Sequence, residues 1–303
     1  MQHPIHRRTL RPRATFRDAA LQEEFATRGY VVVPLLSAEH IRMLTDLYHS
    51  LPSGIESGFY SVMFSPDPGY RDRVSEGIQA VMLALTAPLL ADYRALAGSY
   101  MVKLPGSDSA LAAHQDWNMV DEAHYVSINV WAPLTPLTAE NGALSVMPGS
   151  HLFIDGLRAS VLYPSCLDPH QEVVRDRYLQ QVTVPEGHAV IHNSALVHAS
   201  KANQSPSPRV VASLSMIPSE ARPVHYYLDP ATGDVDYFEV DTAFFLRHLI
   251  GQRPTYPVTD RIQGYQAPPL TGEELERLFT EHNGARIWVE ESACSTSVAA
   301  PPL

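Results

Sequence analysis

Two cysteines in 303 residues, Cys166 and Cys294, are too few and too isolated for a disulfide framework or a thiolate metal site, so both are expected as reduced thiols. No apolar run reaches the roughly 18 residues of a membrane span, and no apolar core follows the N-terminal arginines as a secretory signal would require. The expected location is cytoplasmic, with no membrane partner. Positive charge is scarce as well: 22 Lys and Arg against 33 Asp and Glu leave a net charge of −11, the wrong sign for a nucleic-acid partner. The exception is the N-terminus, where Arg7, Arg8, Arg11, Arg13 and Arg17 stand with no acid before Asp18. Residues 1–16 read as a flexible basic arm, either solvated or reaching an anionic partner.

What is present is ample apolar material. Hydrophobic residues make up 45% and charged ones 18%, the composition of a chain that buries a core. Residues 17–290 are expected to form a single domain, and residues 291–303, rich in Ser, Ala and Pro, a disordered tail. Helical spacing predicts a helix over 17–28 stopped by Gly29, a second over 37–51 with Ser37 as N-cap, and a third over 70–96 kinked at Pro88. A short strand over 30–33 separates the first two.

From Ser99 the pattern changes to short strands between Pro, Gly, Asn and Ser, expected near 99–104, 111–117, 125–132, 143–147, 179–184, 188–192 and 209–217. The fold class is therefore mainly β with flanking helices, a cupin-like jelly roll whose core spans about 99–217. Residues 149–178 show no sustained period and read as a lid or insertion. Residues 218–290 read as additions: a strand over 225–228, a helix over 241–250, and another after Thr271, which forms a capping-box pattern with Glu274.

His114-Gln115-Asp116 puts two ligand-type side chains at i and i+2, which on a strand share one face. Two imidazoles and one carboxylate on one face of the octahedron are what Fe(II) of the oxygen-activating kind requires, with the other positions left for a cosubstrate and dioxygen. His198, near the end of a strand that follows Pro185-Glu186-Gly187, is the best third ligand. Arg209, eleven residues on at the start of another strand, can carry a guanidinium inside a barrel. Its two readings are an internal ion pair and a bidentate grip on the distal carboxylate of 2-oxoglutarate.

These residues, with Trp117, Asn141-Gly142-Ala143-Leu144, Met147-Pro148-Gly149-Ser150-His151 and His198-Ala199-Ser200, resemble the phytanoyl-CoA dioxygenase family over about residues 20–220. The resemblance implies a double-stranded β-helix, an Fe(II) centre, 2-oxoglutarate as cosubstrate and O2 as oxidant. It implies His114, Asp116 and His198 as ligands, Arg209 and Ser200 on the distal carboxylate, and Trp131 beside the cosubstrate. It further implies hydroxylation of an aliphatic C–H, plausibly in specialised metabolism. Halogenases of the wider group replace the carboxylate ligand by a small residue, whereas Asp116 is intact here, which argues against halogenation.

Around the site, strand 125–132 alternates a polar face, with Asn129 and Trp131, against an apolar one. Asn129 then either reaches the cosubstrate or substrate or lies on an exposed face. Trp117 and Asn118 stand either at the mouth against substrate or in packing. Lys103 is either a cation toward the cavity or a surface lysine, and Arg222 and Tyr226 either close the pocket or pack. The partner is a small molecule, free or linked to a carrier or coenzyme A. Desaturation, epoxidation and cyclisation use the same metal site, and a non-catalytic cupin-like binding protein is the competing class.

Overall fold

Alternation of side chains decides the architecture. In β5 (Ile128–Pro133) and β10 (Arg209–Pro218), Ile128, Val130, Ala132, Val210, Ala212, Leu214 and Met216 share one apolar core with residues of the helices. The opposite face carries Asn129, Trp131, Arg209 and Ser215 into a cavity. The polar face of the sheet is thus its inner face, as the alternation leads one to expect.

The computed structural model describes residues 13–51, 54–158, 165–249 and 251–294, of which 284–294 are described by backbone alone. Two sheets form the double-stranded β-helix. The larger runs β1 (Tyr30–Pro34), β8 (His188–Asn193), β5, β10, β3 (Tyr93–Lys103) and β2 (Phe59–Ser61), antiparallel throughout. The smaller runs β4 (Leu111–His114), β9 (His198–Ser200), β6 (Leu144–Val146) and β7 (Gln180–Gln181). A separate ribbon joins β11 (Val224–Leu228), β12 (Val235–Glu239) and β13 (Asp260–Ile262). Trp131, Leu144, Val146, Val190 and Val211 pack between the two main sheets.

Helices α1 (Ala19–Arg28), α2 (Ala38–Ser50) and α3 (Pro68–Thr86) are held where the sequence marks their ends. The Asp18 carboxylate accepts from Leu21 N–H, Gly29 closes α1 at φ 82°, and Ser37 caps α2 reciprocally with His40. Helix α3 lies against β3 at Gly98, where a Cβ would come within 2.9 Å of Ile78 Cβ. Ile78 is fully buried at that contact, so truncating it to Ala should cost about 2–5 kcal/mol.

Several expectations need correction. Helix α3 stops at Thr86 rather than running to 96, because Pro88 cannot continue it. The chain reverses, and Tyr93 already starts β3, whose pairing along β10 outweighs the apolar helical spacing. The strand expected over 111–117 ends at His114, and that over 179–184 shrinks to Gln180–Gln181. The helix expected over 241–250 is a single turn, Phe244–Arg247, and strands β2, β9, β12 and β13 are additional to those expected; His198 begins β9 rather than standing near the end of the preceding strand, which stops at Asn193. The basic arm is anchored from Arg13 onward: its guanidinium pairs with Glu220 at 2.7 Å, and Thr15 and Phe16 are buried. Residues 1–12, with Arg7, Arg8 and Arg11, lie outside the described residues. The C-terminal helix, Gly272–Cys294, overlaps the expected tail by four residues, 291–294, and 295–303 lie outside the described residues.

Candidate metal centre

His114 ends β4, and His198 begins β9, its antiparallel neighbour, so strand pairing sets the two imidazoles opposite each other in register. Their ring centroids are 4.3 Å apart. Asp116 follows just beyond β4 and places Oδ1 3.9 Å from His198 Nε2. One ligand atom from each of the three residues lies within 4.8 Å of the others, close enough to share one ion. His114 Nδ1 donates to Ala112 O (2.8 Å) and His198 Nδ1 to Leu196 O (3.0 Å). Nδ1 therefore carries the proton on both rings, and both Nε2 lone pairs are left for a metal.

The electrostatics suit a divalent cation. Burial, then the neighbouring His198, pushes the His114 pKa down to about 4, and burial lowers that of His198. Burial alone would raise Asp116, but His198, His192, His114 and Arg158 outweigh it and hold the carboxylate below its ordinary range. Two neutral imidazoles and an ionised carboxylate are the protonation states that metal binding needs. Among the described residues the buried Asp116 Oδ2 has no hydrogen-bond partner, a need that a bound cation would satisfy.

Arg209 occupies one end of the same cavity, 2% exposed. Nη1 donates to Gly142 O at 3.2 Å, Nε has no partner among the described residues, and the guanidinium lies 5.3 Å from the Trp131 ring centroid. Among the described residues no carboxylate pairs with it, and burial pushes its pKa down to about 9. A guanidinium still charged at neutral pH and buried without an acid is costly unless an anion binds there. Gly142, at φ 74°, has no room for a side chain, because a Cβ would lie 2.4 Å from Lys201 O. This accounts for the glycine of Asn141-Gly142 beneath the arginine.

The cavity holds about 550 Å³ and is lined by the metal triad together with Asn129, Trp131, Ser200, Arg209 and Trp117. Asn129 Oδ1 accepts from Ser213 Oγ (2.6 Å), which fixes the amide in the wall. Other candidates are placed elsewhere. Lys103 is fully buried beside Arg209, but its ammonium is capped by the carbonyls of Ser109, Ser200 and Lys201 and does not line the cavity. Burial, then Arg209, pushes its pKa down to about 7. Asn118 accepts from Arg158 N–H (2.6 Å) behind the wall. Arg222 is exposed and paired with Glu239, and Tyr226 is buried against Tyr237 in the outer ribbon, so neither reaches the cavity.

Sequence reasoning missed much of the wall. Segment 149–178 contributes Leu157, Arg158 and Gln171 to it. Arg158 pairs with Glu122 and donates to Asp116 O, and Gln171 hydrogen-bonds both backbone groups of Ala113, so both brace the ligand strand. His192 packs 4.9 Å from His198. Phe244, Phe245 and His248 arrive from a region whose only sequence signal was a helical period.

The sequence model of the phytanoyl-CoA dioxygenase (PhyH) family matches residues 27–211. No curated protein matches the chain by sequence. Among solved structures, HygX from Streptomyces hygroscopicus, bound to nickel, 2-oxoglutarate and hygromycin B, shares 16% identity at TM-score 0.50 over 67% of this chain and 88% of that one. EctD from S. alaskensis, in its apoform, shares 17% at TM-score 0.50 over 72% and 85%. The epimerase SnoN, in complex with Fe3+, alpha ketoglutarate and nogalamycin RO, shares 20% at TM-score 0.50 over 84% of this chain and 97% of that one. At these identities the likeness speaks for the fold.

Proposed function

The chain belongs to the phytanoyl-CoA dioxygenase family, and on that premise we propose that it is a non-haem Fe(II)- and 2-oxoglutarate-dependent oxygenase hydroxylating an aliphatic carbon of a small molecule. The observation that carries this reading is one cavity holding both a His-Asp-His triad and a buried arginine with no acid partner among the described residues. A binding protein that had lost turnover has no need of both.

Fe(II) with 2-oxoglutarate supplies, when bound, the means of using dioxygen as an oxidant. The chain's own residues do the rest. His114, Asp116 and His198 would hold the ion, with the ligand loop braced by Arg158 and Gln171. Arg209 and Ser200 take the distal carboxylate of the cosubstrate, and Trp131 and Asn129 form the floor under it. The apolar packing between the sheets limits water around the reacting centre.

Hydroxylation, rather than halogenation, follows from Asp116, which fills the position a halide would need. Purified protein with Fe(II), 2-oxoglutarate and O2 should form succinate, and 18O from labelled O2 should enter the product. A product with a new double bond or ring and no label would move the chain to desaturation or cyclisation. No succinate under any condition would end the oxygenase reading.

A further inference from the structure

Along β10 the cavity runs from Arg209 to Ser215, six residues or ~20 Å of extended strand. At the Ser215 end the pairing with β3 slips: Ala97 faces Ser215 and Ala95 faces Met216, so Leu96 is the extra residue of a bulge. There Leu96, Met119, Phe244 and Phe245 form one apolar cluster that also lines the cavity, and Trp117 adds a ring from the ligand loop. His248 lines the same end, stacked on Phe244 with centroids 4.5 Å apart and planes at 16°. The ring donates to the Gln252 backbone, and among the described residues its buried Nε2 has no hydrogen-bond partner, which leaves Nε2 as an acceptor. The stack fixes the ring, and an unpaired buried nitrogen costs about 1–3 kcal/mol until something bonds to it.

Building on the oxygenase reading above, we propose that this end is the substrate subsite, that it takes an uncharged, predominantly apolar molecule, and that His248 Nε2 accepts a hydrogen bond from a hydroxyl on it. Burial keeps His248 neutral, so it offers a hydrogen bond and no charge. The cations nearby are already used: Arg158 is paired with Glu122, Arg247 with Asp72, and the Arg71 guanidinium is capped by the carbonyls of Ser65, Leu246 and Arg247. Asp168 stands exposed in the cavity lining and repels a polyanion such as a coenzyme A tail. Flat aromatic walls suit a ring system.

The test uses three probes of one shape: 2-decalol, decalin and decalin-2-carboxylate. Each is titrated into the protein by tryptophan fluorescence before metal addition, then into the anaerobic Fe(II)·2-oxoglutarate protein by perturbation of its visible charge-transfer band. The alcohol should bind about tenfold tighter than decalin and at least tenfold tighter than the carboxylate. His248→Phe should erase the preference for alcohol over decalin, and His248→Gln should keep part of it, with both variants folded by thermal melt. Equal binding of the carboxylate, no binding of any probe, or an unchanged preference in His248→Phe overturns the proposal. Alcohol-dependent fluorescence in a protein that never develops the charge-transfer band would instead overturn the oxygenase reading and leave the subsite standing.

Discussion

The two ends of the cavity are built by different rules. At the Arg209 end, a few polar side chains stand on paired strands, and register fixes them: Arg209 opposite Lys103, His114 opposite His198. At the Phe244 end, the wall is assembled from distant stretches of chain, Leu96, Met119, Phe245 and His248, held by shape rather than by directed bonds. The first end can change little without losing its ligands. The second can exchange one apolar residue for another and accept a different molecule, which is how one oxygenase core serves many substrates.

Substitutions at the two ends should therefore separate cleanly. The largest effect belongs to Asp116→Ala, which removes one of three metal ligands: succinate formation should be abolished and Fe(II) retention lost by metal analysis, and a variant with more than a few per cent of turnover would refute the ligand assignment. Next comes Arg209→Ala. It should raise the 2-oxoglutarate Kd about 100-fold while Fe(II) binding persists, because a charged hydrogen-bonding pair is lost. Calorimetric titration giving the wild-type Kd would contradict the role given to Arg209.

Phe245→Ala acts at the other end. Phe245 is buried in the apolar cluster, so stability should fall by about 3 kcal/mol in urea and the binding of apolar probes should weaken about tenfold, with the 2-oxoglutarate Kd unchanged. A matching loss of 2-oxoglutarate affinity would show that the two ends are not independent. The effect that is smallest at neutral pH, and grows only on acidification, concerns titration. Burial, then His248, pushes the pKa of His225 down to about 3 from 6.5, so the unfolded chain takes up a proton that the folded protein refuses. This contribution to stability is complete above about pH 6.5 and is lost, by up to ~1.4 kcal/mol per pH unit, as the pH falls toward 3. His225→Phe should flatten that part of the stability profile, and a parallel profile in the variant would show that His225 is not its source.

The same contrast explains what the sequence reveals. The Arg209 end is legible because strand parity and short motifs act locally: His114 and Asp116 two apart, Asn141-Gly142 at a turn with positive φ, Arg209 opening a strand. The polar inner face of β5 follows from alternation alone. The other end depends on which distant segments meet. No local signal says that Phe244 and His248 fold back over Leu96, or that Tyr93 pairs along β10 instead of continuing α3. Charged residues misled for a related reason: the uses of Lys103 and Arg222 are set by tertiary neighbours, three carbonyls for one and Glu239 with solvent for the other.

The central claim is that the triad and Arg209 serve one iron and one 2-oxoglutarate. Anaerobic addition of Fe(II) and then 2-oxoglutarate to the intact protein tests it directly. A weak visible metal-to-ligand charge-transfer band should appear only when both are present, saturate at one equivalent of each, vanish in Asp116→Ala and need far more 2-oxoglutarate in Arg209→Ala. A wild-type protein that binds Fe(II) yet gives no band at saturating 2-oxoglutarate would contradict the account.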